Sequence, residues 1–277
     1  MRKSLALLAL LVQGCVPLPP EEVPSAPAAQ GRRVVSMDLD SGHKRHSTRH
    51  FEVRAYSEDS AREAGELAER LMERVLKDTG LYSFQTRLPI PVFLYRSQEE
   101  FSVKTDIPPG AAAGAADRSG TLFTFEGAPL GNVLSHEISH LIFIEYMGRM
   151  EPLWVNEGLA VYEEQEASSD PTPYSAGDRL IPFREMAGLE TAQIIALSSA
   201  RGLRLAGLPR REESMSAWYR QAGGVVRLMI EKGGYGGFAR FLAALRDGRS
   251  ESEAIGLSFQ GRWKGMADLE AEWRTGR

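Results

Sequence analysis

The chain runs to 277 residues, 43 % hydrophobic and 25 % charged, an ordinary globular composition sufficient for one large domain or two small ones. A formal net charge of −4 and the lack of any basic module motif give no reason to invoke nucleic acid. The single cysteine, Cys15, excludes an intrachain disulfide or a site built from several thiolates.

Arg2 and Lys3 make a basic start, and residues 5–12 are apolar over a signal-peptide length, too short to cross a bilayer. The run closes Leu11-Val12-Gln13-Gly14-Cys15, which resembles the lipobox of bacterial lipoproteins, where the cysteine after a small residue is lipidated and becomes the mature N-terminus. The resemblance implies a signal peptide over residues 1–14 and lipidation of Cys15. It also implies a protein of the bacterial cell envelope, lipid-anchored to a membrane and facing the periplasm or the exterior. Residues 15–31 are mostly Pro, Ala and Glu, an extended tether that cannot build a core. The folded domain is expected over 32–277, in which no segment reaches transmembrane length.

Residues 33–40 and 49–57 alternate as strands do on either side of the polar stretch 41–46, and predict a β-hairpin. His43, His46 and His50 lie among Lys44, Arg45 and Arg49, which repel a cation, so they read as a solvated tip rather than a metal cluster. Residues 60–77 carry Ala64, Leu67, Ala68, Leu71, Val75 and Leu76 at helical spacing and end near Gly80. A short apolar strand follows over 90–95, and Ser97 to Glu100 has capping-box spacing, opening a short helix. An Ala/Gly-rich loop at 110–114 leads to a strand over 121–125, either an exposed sheet edge beside a cleft or an internal strand. Beyond it lie an apolar helix over 133–147, a second from 151 to about 166, and a polar loop over 168–178. Helices over 216–232 and 238–246, a capping box at Ser250 and a closing helix over 265–274 complete the chain. Strands in the first half and helices in the second predict an α+β class, with a mixed N-terminal subdomain to about residue 148 and a helical one after it.

The helix over 133–147 contains His136-Glu137-Ile138-Ser139-His140, an H-E-x-x-H sequence. Histidines four apart lie one turn apart on one helix face and lean the same way, the geometry that grips one Zn²⁺. Glu137 is rotated off that axis, toward the water that would attack a substrate. Two imidazoles do not hold a catalytic zinc alone, and no third histidine follows at Gly148 or Arg149, so a carboxylate is required. Glu145, five residues after His140, points roughly 140° away from it. Glu151 falls in the turn, while Glu163 and Glu164 are expected to face solvent. Glu157 is on the next helix, which an antiparallel return brings alongside the first, with Gly158 and Ala160 small enough for close approach. The expected site is one Zn²⁺ per chain on His136, His140 and Glu157.

The pattern His136-Glu137-x-x-His140 with Trp154-x-x-Glu157-Gly158-x-Ala160-x-Tyr162 resembles the gluzincins, metallopeptidases with H-E-x-x-H and a downstream Glu, and most nearly their small bacterial peptidase MA-like group. The lead-in, the helix bearing Trp218-Tyr219, and the tail through Gly248, Glu253-Ala254-Ile255, Leu269 and Trp273 are similar to that group's layout. The resemblance implies a zincin-like fold and zinc-dependent hydrolysis of a peptide or protein substrate. Glu137 would serve as general base, and a residue of a later helix would stabilise the oxyanion. Tyr219 matches that last position, with Tyr162 and Arg220 as rivals. The alternatives are a binding or structural envelope lipoprotein on a zincin scaffold, or a hydrolase of another bond such as a cell-wall amide, because the motif does not name the bond. Oligomeric state is left open.

Overall fold

The computed structural model describes residues 37–86, 89–117, 119–169, 181–188 and 211–275, with side chains from 217 onward in the last stretch. The expected signal peptide, Cys15, the tether and most of the loop at 168–178 lie outside the described residues. The strands are β1 (Lys44–Ser47), β2 (Phe51–Ala55), β3 (Ile90–Tyr95), β4 (Gly114–Ala116) and β5 (Leu122–Phe125). They form one mixed sheet in the order β1-β2-β3-β5-β4, parallel through β2, β3 and β5 and antiparallel at both edges. With the helices that follow, the architecture is α+β.

Parallel neighbours need a crossover, and helix α1 (Glu58–Asp78) supplies the one between β2 and β3. The Ser57 hydroxyl caps it by accepting from Ser60 N–H at 3.0 Å, and Ala61, Ala64, Ala68, Leu71 and Val75 form its buried stripe. The sheet is covered on both faces. Val53, Val92, Leu94 and Leu122 join one core with α1, whereas Phe93, Tyr95, Phe123 and Phe125 join a smaller one with Phe101 of helix α2 (Gln98–Thr105). Ser97 caps α2 through Glu100 N–H, but the Glu100 carboxylate accepts from Arg96 N–H and Tyr56 Oη, so the reciprocal half of the capping box is not made.

One expectation about the sheet is corrected and one open alternative is decided. The first strand of the hairpin is not 33–40, of which 37–40 form no strand. It is β1, overlapping the stretch read as the tip, with Lys44 opposite Ala55 and Ser47 opposite Glu52. A charged strand is stable there because it is an edge, where lysine and arginine cost nothing in burial and discourage pairing with another chain. His50 lies in the short turn, its N–H and Nδ1 held by the Glu69 carboxylate at 2.6 and 2.7 Å. The strand read over 121–125 is internal, bonded to β3 on one side and β4 on the other; β4 is the edge strand on that side.

The chain then turns helical: α3 (Leu130–Met147), α4 (Leu153–Ala167), α5 (Phe183–Ala187), α6 (Arg211–Gly233), α7 (Tyr235–Arg246), α8 (Glu251–Ser258) and α9 (Met266–Thr275). Residues 133–140 of α3 are all buried, so this helix has no solvent face along its middle. Gly148, at φ 70°, ends it in a left-handed cap, and a short turn leads into α4. Helix α4 packs against α3 on one side and α6 on the other.

The smallness of Gly158 serves the second contact rather than the first. A Cβ there would stand 2.6 Å from the Ala222 carbonyl oxygen and 2.8 Å from Val226 Cγ2, both on α6. Helix α6 is fixed in turn by the Trp273 ring of α9, which fills the space a side chain at Gly224 would take. Gly158→Ala is expected to cost about 1–3 kcal/mol through backbone displacement. Denaturant unfolding should show a lower midpoint with an unchanged slope.

Candidate metal centre

Helix α3 carries His136 and His140 one turn apart, and α4 returns beside it carrying Asn156, Glu157 and Glu164. Both histidines are 2 % exposed and Glu157 is 4 % exposed, so the group lies in the interior of the fold. The two Nε2 atoms stand 3.2 Å apart, and Glu157 Oε2 is 3.5 Å from His140 Nε2. One ligand atom from each of His136, His140 and Glu157 lies within 4.8 Å of the others, and this is the group among the described residues that can hold a metal ion.

The outer nitrogens decide what the inner ones can do. Asn156 Nδ2 donates to the Met150 carbonyl at 3.3 Å, which turns its Oδ1 toward His140 Nδ1 at 2.8 Å. An amide oxygen only accepts, so His140 Nδ1 must carry the proton and its Nε2 presents a lone pair. On the other side, the Glu164 carboxylate accepts from His136 Nδ1 at 3.1 Å. A neutral His136 then also presents a lone pair from Nε2. Two lone pairs facing each other across 3.2 Å require a positive species between them, either a proton or a metal ion. Glu157 Oε2 faces the same gap, buried and with no hydrogen-bond partner.

The charge balance shows the same demand. Burial by itself would lower His136, but the hydrogen bond to Glu164 and the charges of Glu137, Glu164 and Glu157 outweigh it and hold it up at about 9. Burial, and then the charge on His136, push His140 down to about 3. Burial raises Glu137 to about 8, with Glu157 and Glu164 adding to it and His136 opposing, and raises Glu157 to about 7 against His136. Without an ion, the site therefore retains protons near neutral pH where it would otherwise bind a cation. A divalent charge in the gap would replace those protons and draw the carboxylates down.

Two residues of this arrangement run against the sequence reading. Glu163 and Glu164 do not face solvent. Glu163 is fully buried and paired with Arg74 of α1, and Glu164 orients His136. Asn156 was not singled out at all. A signal was present for the carboxylates: Glu163, Glu164 and Glu166 crowd the C-terminal end of α4, the negative end of the helix dipole, where acids are disfavoured unless something holds them. Glu137 is buried in α3 at 2 % exposure. Tyr219 is half-buried on α6, its ring edge-on to Trp218 at 5.0 Å, and Trp218 donates from Nε1 to the Met186 carbonyl. The Tyr162 hydroxyl is turned to Asp78 of α1 at 3.4 Å, and Arg220 is exposed. The basic hairpin histidines contribute nothing to the group.

Comparison with known proteins finds no family model and no curated protein that matches this chain.

The metal-free protein should lose stability as pH rises from 6.5 to about 9. His136 is raised from 6.5, and Glu137, Glu157 and Glu163 are raised from 4.5, so in this window the folded state binds more protons than the unfolded chain. Their contribution is present in full below the unfolded values and is lost as pH passes the folded ones. The depressed His140 opposes this only below 6.5. Melting temperatures of chelator-treated protein should fall across the window, and a saturating divalent ion should flatten the slope.

Proposed function

We propose that the protein is a zinc-dependent metallopeptidase of the gluzincin, peptidase MA-like kind. Its zincin-like domain would be held at a bacterial envelope membrane by a lipidated Cys15. The observation that carries this reading is the buried donor set of His136, His140 and Glu157, with both Nδ1 atoms engaged and an unpartnered carboxylate oxygen beside the facing Nε2 atoms. Two imidazoles and one carboxylate are a zinc-type donor set that leaves a position open. Nitrogens about 2.0–2.1 Å from a tetrahedral zinc stand roughly 3.3 Å apart, close to the spacing of the two imidazoles.

Zinc bound there would supply Lewis acidity toward a carbonyl and lower the pKa of water. The remaining steps belong to the chain. His136, His140 and Glu157 hold the ion, and Glu164 and Asn156 keep the imidazoles in the binding tautomer. Glu137, beside His136 on the same helix, accepts the proton of the attacking water and returns it to the leaving amine. Tyr219 is the chosen oxyanion donor. It lies on α6, the helix packed against α4, and is chosen because that helix resembles the family's equivalent. Tyr162 fits that role less well, since its hydroxyl is directed at Asp78.

An extended peptide would pair through main-chain hydrogen bonds with the sheet edge beside α3; β4 is the edge strand there, buried at Gly114 and Ala115 and half-buried at Ala116, the end a peptide would engage. Support for that edge comes from its seat on α3: a Cβ at Gly114 would lie 2.2 Å from Cγ1 of Val133, three residues before His136.

Glu137→Gln should retain the metal and lower hydrolysis of an unfolded protein substrate by at least about 100-fold. Unchanged turnover in that variant removes Glu137 from the mechanism. Separately, Cys15→Ser should move the protein from the membrane fraction to the soluble one. Continued sedimentation with membranes would refute the lipid anchor.

A further inference from the structure

We propose that Arg74 and Ser135 are positioning residues of the metal centre: both grip the Glu163 carbonyl and so fix the neighbouring Glu164, which orients His136. The inference rests on the reading that His136 holds a metal ion.

Three helices meet at this one oxygen. Ser135, on α3 and adjacent to His136, stands with Oγ 3.1 Å from the Glu163 carbonyl and 3.2 Å from the Asn132 carbonyl, its one proton shared between them. Arg74, on α1, donates from Nη2 to the same carbonyl at 2.7 Å and from Nε to Glu163 Oε2 at 2.9 Å. The next residue of α4, Glu164, reaches back to His136 Nδ1 at 3.1 Å. The loop of contacts His136–Glu164–Glu163–Ser135 thus closes on itself within α3 and α4, and Arg74 ties it to α1.

A sliding or rotation of α4 along α3 would pull Glu164 off the imidazole, and the shared carbonyl opposes that movement. A structural ion pair alone explains this poorly. The Glu163 carboxylate is fully buried with Oε1 unpartnered, which is a costly way to join two helices that apolar residues would join as well. The guanidinium also sits at the negative end of α4, where it offsets the acids gathered there.

The test uses the full-length protein, with zinc affinity read by chelator competition and ligand geometry read from the visible absorption of bound cobalt. Arg74→Met should weaken zinc binding by about 10- to 100-fold and shift the cobalt bands. Arg74→Lys should not restore it, because one ammonium does not span both oxygens as the guanidinium fork does. Ser135→Ala, a milder change that decides the matter if Arg74→Met does not fold, should weaken binding by roughly two- to tenfold.

Arg240→Met serves as the control. It removes a guanidinium that holds the Ser258 carbonyl at 2.7 Å, away from the site. It should lower stability while leaving zinc affinity unchanged. Zinc affinity and cobalt spectra unaltered in both Arg74→Met and Ser135→Ala, with a parent that binds, would overturn the inference alone, as would full recovery by Arg74→Lys. A parent that takes up neither zinc nor cobalt would overturn the metal centre and this inference with it.

Discussion

Two imidazole nitrogens that each offer a lone pair across a short gap are unstable unless something positive lies between them. Much of the interior can be understood as enforcing that confrontation. Asn156 and Glu164 hold the outer nitrogens so that neither ring can turn to relieve it. The burial of Val133 to His140 along α3 keeps the pair in the interior. Glu157 adds an oxygen with no partner of its own, whose desolvation costs of order 1–3 kcal/mol in the absence of a cation. Such a set can hold a metal ion.

The sheet and the helical half divide the labour of holding it. The strands supply a covered platform whose β4 edge and α1 face receive α3. The second half supplies α4 and, behind it, α6, so that α4 is wedged between the ligand helix and a helix it meets at backbone distance. The wedge works because Gly158 has no side chain. Glu157, one residue earlier, is turned roughly 100° from it by the helix period and faces His140 of α3.

What could be read from the sequence, and what could not, divides along physical lines. The histidine helix is legible because two histidines and an apolar run share one period, and Glu157 because it falls on the next helix, which an antiparallel return brings alongside. Glu164 is not legible from polarity, since a carboxylate scores as solvent-facing whether or not an imidazole waits for it. Only its place at the unfavourable end of a helix hinted otherwise. The β1 strand is misread for the converse reason. Alternation identifies strands with one buried face, and Lys44 to Ser47 is an edge whose side chains are mostly in water. Gly158 is read as small for the wrong neighbour, because a sequence says that a helix must come close without saying to which partner.

The Trp273 indole lodged over Gly224 has a consequence in time rather than in space. Every residue of the donor set and of its supporting contacts has been synthesised once Glu164 is made, but the ring that immobilises α6 belongs to the last helix of the chain. During synthesis the ligands therefore exist long before the wall behind them is anchored. The helix behind α4 is thus held by a residue more than a hundred positions downstream of Glu164.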